Sequence, residues 1–153
     1  MAGLLAVCTA AAPSRDSATI VDSGSTNTAG YKIVVASDGH GTLTMQSRMG
    51  SAQSAPTSFT VATKVTARFF ADLKAVREAK VDGTPCMKSA SFGTSTRVQW
   101  HQWASPDLDC PADNPLVAAL VGDVNAIRAA SGVNSRPLNR GFPILVTTPA
   151  ASP

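Results

Sequence analysis

Apolar and polar positions follow a strand-like period at the front of the chain and a helical period twice further on. Thr19-Ile-Val21 opens the ordered part, and Asp22-Ser-Gly-Ser-Thr-Asn27 follows it as a polar turn. Tyr31-Lys-Ile-Val-Val35 is rich in β-branched residues. Ser37-Asp-Gly39 then gives a hairpin signal before Thr42-Leu-Thr-Met45. Residues 46–58 are a polar connection containing Gly50 and Pro56, and Phe59-Thr-Val61 predicts a short strand.

The period then changes. Val65, Phe69, Leu73 and Val76 recur at spacings of four, four and three, which lines one helix face. Arg68 and Asp72 form an i,i+4 pair on its flank, and Asp82-Gly83 is the expected stop. Residues 95–103 predict one strand. Arg97, Gln99, His101 and Trp103 lie on one of its faces, and Thr96, Val98, Trp100 and Gln102 on the other. A second helix opens with Asp113 or Asn114 as N-cap and Pro115 at its first position. It presents Leu116, Leu120, Val124 and Ile127 to the core and closes at Gly132. The order implies an α+β fold, a small antiparallel sheet with two amphipathic helices packed on it, over residues 18–133.

Composition narrows the class. The 153 residues suit one domain, and the 44% apolar content fits a globular one. A net charge of +3 without a Lys/Arg cluster supplies no track for nucleic acid. No apolar run is long enough to span a membrane. Ala, Ser and Thr together number 56, so short motifs built from them arise by chance.

Residues 1–13 are uncharged and apolar and end in Thr9-Ala10-Ala11. They read as the remnant of a secretory signal, with Cys8 as an alternative lipid-anchor cysteine. The competing reading is the apolar start of a cytosolic protein. With export, the expected location is secreted, periplasmic or cell-envelope, and Cys86 and Cys110 pair as a disulfide. Zinc is disfavoured, since His40 and His101 are the only histidines and stand at unrelated spacings. Residues 134–153 form an extension whose one apolar run, Phe142-Pro-Ile-Leu-Val146, suits an edge strand. No cofactor is expected.

Four sets of residues carry candidate chemistry. Ile20-Val-Asp-Ser-Gly-Ser25 resembles the Asp-Ser/Thr-Gly motif of aspartic peptidases, with Leu120-Val-Gly122 similar to that group's later apolar-apolar-Gly segment. With one copy of the motif, such an enzyme must be a homodimer that pairs two Asp22 carboxyls. Asp22-Ser-Gly24, Gly39-His-Gly-Thr42 and Gly93-Thr-Ser95 resemble, in order, the triad segments of subtilases. Only 55 residues separate His40 from Ser95, too few for the intervening sheet of that fold. Asp107, Asp109 and Asp113 offer oxygens to Ca²⁺ or, alternatively, caps to the second helix. Trp100-His-Gln-Trp103 offers rings for stacking on sugar or base.

Ala71-Asp-Leu-Lys-Ala-Val76, followed by Cys86-Met-Lys-Ser89 and a strand, resembles the second half of subtilisin-inhibitor-family domains. The order of elements is also similar to that of emfourin-type metalloprotease inhibitors. The resemblance implies a small exported α+β protein in which Cys86 anchors a protruding loop. Met87 or Lys88 would then be the side chain offered to a protease pocket. The expected function is binding to another protein, with protease inhibition as its sharpest form. The alternatives are the homodimeric peptidase and a structural module of the cell envelope.

Overall fold

The computed structural model describes residues 15–47, 53–89 and 91–133. The proposed leader with Cys8, and the Phe142–Val146 run, lie outside these residues. Among the described residues there are six strands: β1 (Ser17–Asp22), β2 (Tyr31–Ala36), β3 (His40–Met45), β4 (Thr57–Thr60), β5 (Thr96–Trp100) and β6 (Trp103–Ala104). They form one antiparallel sheet in the order β4-β3-β2-β1-β5-β6. Two helices, α1 (Thr63–Glu78) and α2 (Pro115–Ser131), complete the expected α+β fold.

Register explains why one sheet face is buried. Leu43, Ile33, Ile20 and Val98 are successive cross-strand partners, so one apolar row crosses four strands. Ala18, Tyr31 and Val35 extend this face, all at 1% exposure or less. Thr42, Val34, Thr19 and Gln99 form the equivalent row on the opposite, more open face. Gly41 is paired with Phe59, and a Cβ there would stand 2.4 Å from the Phe59 ring. That ring therefore lies over the strand where a side chain would be.

The helices cover the apolar face. α1 buries Thr66, Phe69, Leu73 and Val76, so the predicted stripe holds, with Val65 half-buried at its start. α1 stops at Glu78, before Asp82-Gly83. Lys80 takes a left-handed conformation (φ 48°), and the N–H groups of Lys80 and Val81 return to the carbonyls of Arg77 and Val76. That paired bonding closes the last turn as glycine usually does.

Asn114 is the N-cap of α2, its Oδ1 accepting the Leu116 N–H at 2.9 Å, and Gly132 ends the helix at φ 77°. The buried stripe includes Val117 and Val121, and Leu116 is only half-buried. Residues 95–103 are not one strand. His101 adopts φ 54° and the chain turns back, so Trp103 pairs with Trp100 on the same face instead of opposing it. No described helix is long and apolar enough to cross a membrane.

Arg68 does not serve Asp72 as its ion-pair partner. Its Nε donates across the helix interface to Asp123 Oδ1, and the Asp123 side chain is fully buried. Burial, opposed by Arg68 and reinforced by the neighbouring Asp72 carboxyl, pushes Asp123 up to about 6. A raised carboxyl binds its proton more tightly folded than unfolded. Its contribution is complete below the ordinary carboxylate pKa and is lost as pH rises through the folded value. Stability should therefore fall by on the order of 2 kcal/mol between about pH 4 and pH 6. Asp123→Asn, followed by urea melts across that range, should flatten most of this slope.

Candidate functional site: a disulfide-anchored loop

The chain between α1 and β5 carries the two large apolar side chains that stand in solvent among the described residues. Met87 is 102% exposed and Phe92 69%. Neither side chain belongs to the hydrophobic core. Sequence reasoning reached Met87 through its neighbour Cys86. It missed Phe92, because a lone aromatic in a Ser/Gly segment has no period to betray its exposure.

The loop is fastened at its base. Cys86 and Cys110 form a disulfide with a Cα–Cα distance of 5.5 Å, and Cys110 is buried at 6% exposure. The Gly93 N–H donates to the Ser89 carbonyl at 2.7 Å, folding the tip back. A Cβ on Gly93 would come within 2.5 Å of that same carbonyl oxygen, so the turn requires glycine. On the far side, the Asn27 N–H and the Ser25 hydroxyl both donate to the Ser91 carbonyl, at 3.2 and 3.0 Å. Ser23 and Ser95 exchange two further bonds of 3.0 Å each.

Lys88 faces inward. Its ammonium donates to Asp107 Oδ2 and to the Thr94 carbonyl, leaving the side chain 24% exposed. Asp107 Oδ2 also accepts from the Ser95 hydroxyl at 2.6 Å, and Asp107 Oδ1 accepts the Asp109 N–H at 3.1 Å. Burial works to raise the Asp107 pKa, but the Lys88, Ser95 and Asp109 donors outweigh it and hold the carboxyl below its ordinary range. Of the two residues the resemblance offered to a partner, Met87 is therefore presented and Lys88 is a strut beneath it.

Asp22 lies one layer deeper, at the end of β1, 4% exposed. Its Oδ1 accepts the Gly24 N–H at 2.8 Å, the local turn bond that an Asp-Ser-Gly sequence favours. Its Oδ2 is 3.1 Å from the buried Thr96 hydroxyl, which is also 3.0 Å from Asp109 Oδ2. Buried in this way, the carboxyl is not displayed where a second copy of the chain would meet it.

His40 opens β3 at the opposite end of the sheet from Asp22 and Ser95, and the Ser95 hydroxyl is bonded to Asp107. The structure therefore does not assemble the subtilase-like set. Asp107 and Asp109 turn their carboxylates to Lys88 and to threonine and serine hydroxyls, and no acidic or histidine cluster among the described residues is arranged to hold a metal. Trp100 is occupied as well. Its Nε1–H donates to Asp16 at 2.9 Å, with Arg77 over the ring and Phe70 at its edge.

No family model, curated protein or solved structure matches the chain.

Proposed function

We propose that the protein is an exported, non-catalytic binding module that presents Met87 and Phe92 to another protein. Protease inhibition is its sharpest form. The observation that carries this reading is the contrast between an exposed apolar pair and the fixed base beneath it. A loop already ordered before contact loses little conformational freedom on binding, so more of its contact energy appears as affinity. Export is supported by the Cys86–Cys110 bond, which belongs to oxidising compartments, together with the apolar character of residues 1–13.

The test is a panel of serine and metalloproteases assayed with purified protein at micromolar concentration. Inhibition of at least one enzyme is expected. The double variant Met87→Asp/Phe92→Asp should weaken it about a hundredfold, the cost of losing two apolar anchors. Its stability should stay within about 0.5 kcal/mol of the parent, because both side chains are already in water. An entirely uninhibited panel, or inhibition untouched by the double variant, would overturn the inhibitor reading.

A further inference from the structure

The Thr96 hydroxyl has one proton and two carboxylate neighbours. Its Oγ1 lies 3.1 Å from Asp22 Oδ2 and 3.0 Å from Asp109 Oδ2, and Thr96 is fully buried. Both contacts are hydrogen bonds only if one carboxyl carries a proton of its own, since a hydroxyl donates once and a carboxylate accepts only. The surrounding bonds say which. Asp109 Oδ2 also accepts from the Thr94 hydroxyl at 2.9 Å, so two donors converge on it as they would on an ionised oxygen. Asp22 Oδ2 has only the Thr96 contact, while Asp22 Oδ1 is satisfied by Gly24. The consistent assignment has Asp22 Oδ2–H donating to Thr96, and Thr96 donating to Asp109.

We propose that Asp22 and Asp109 share a single proton through the Thr96 hydroxyl, as an acid-held latch beneath the 86–95 loop. Other groups facing the pair come from each packed element. Tyr31 on β2 is raised by its own burial and remains a neutral phenol. Arg128 on α2, with its guanidinium 5.5 Å from the Tyr31 ring, favours the ionised Asp22 carboxyl and opposes the latch. The Lys88–Asp107 ion pair flanks the cluster from the loop itself. For Asp22, burial outweighs the lowering by Gly24, Thr96 and Arg128, and the nearby Asp109 charge adds to the rise.

Loss of the proton to water leaves a buried negative charge on Asp22 and a half-buried one on Asp109 competing for one hydroxyl. The strain falls on what the pair holds together, the end of β1 and the loop before the second cysteine. The Ser23–Ser95 and Asn27–Ser91 bonds are the exposed continuation of that contact and should open first. The latch is a property of the fold and stands whether or not the loop binds a protease.

The test is carbon-13 NMR of the aspartate carboxyls in the full chain across pH, with amide exchange of residues 91–95 corrected for intrinsic rates. Asp22 should retain its proton well above about pH 4, the ordinary carboxylate value. Exchange in 91–95 should quicken at least about fivefold between about pH 5 and about pH 8. Asp22→Asn places a permanent Nδ2–H donor where the latch places the proton, so its exchange should lose that pH dependence. Thr96→Val removes the shared hydroxyl while keeping its volume, and the Asp22 titration should then shift from its position in the parent. Asp22 titrating near or below about pH 4, or an unchanged exchange profile in Asp22→Asn, would overturn the proposal.

Discussion

Replacing both cysteines, as Cys86→Ser/Cys110→Ser, lowers the stability of the domain by about 3.5 kcal/mol at neutral pH, as read from urea denaturation. The bond joins positions 24 apart in sequence, and closing a loop of that size restricts the unfolded chain by about this amount on the chain-entropy account. For a single domain whose total stability is roughly 5–15 kcal/mol, such a loss is a large share. A second effect accompanies it. Cys110 is buried within the segment that leads into α2, so the bond ties the loop to the entry of that helix. Without it, Met87 and Phe92 lose a fixed base, and the ordering cost of the loop returns to the binding step. Any inhibition should weaken together with stability. Dithiothreitol should reproduce both losses in the parent protein and neither in the double variant.

Replacing Asp107 with alanine is expected to cost about 3 kcal/mol, close to the disulfide although no covalent bond is involved. The carboxylate, 15% exposed, satisfies the Lys88 ammonium, the Ser95 hydroxyl and the Asp109 N–H together. Removing it strands a half-covered cation and two donors, and breaking one side of a desolvated ion pair costs more than the pair contributes to the intact fold. Asp107→Asn should cost less, because the amide oxygen still accepts, and the difference between the two variants measures the ionic part.

The pH dependence of Asp107 has the opposite sign to that of Asp123. A carboxyl held below its ordinary range stabilises the fold above the unfolded pKa, and that contribution is lost as pH falls through the folded value. Together with the raised Asp123, this predicts maximum stability near about pH 4–5. Thermal melts across pH test this directly, and a maximum above about pH 7 contradicts it.

Elements with strong local signals were legible in the chain. Four apolar residues at helical spacing define the α1 face whatever surrounds it, and Pro115 behind Asn114 marks the start of α2 by backbone chemistry alone. The Ser37-Asp-Gly39 hairpin follows from Gly39 at φ 91° and from Asp38 accepting the His40 N–H at 3.0 Å, both local effects. The double-tryptophan segment was misread because alternation continues through a turn that His101 makes in a conformation sequence patterns assign to glycine. Arg68 was paired with Asp72 on spacing alone, yet Asp123 on α2 receives it, and no local pattern contains that packing.

The candidate site divides in the same way. The chain by itself determined the α+β order, the helix faces, the two cysteines that join, and Met87 beside one of them. These depend on period, capping and composition, which are properties of neighbours along the backbone. Only the tertiary structure decided that Lys88 is a strut, that Phe92 is exposed as Met87 is, and that Asp22 and Asp109 meet on one hydroxyl. The last of these depends on the return of β5 beside β1, which brings residues more than seventy positions apart within hydrogen-bond reach. Exposure and proton sharing are set by what the fold places around a side chain, and the chain order alone does not contain it.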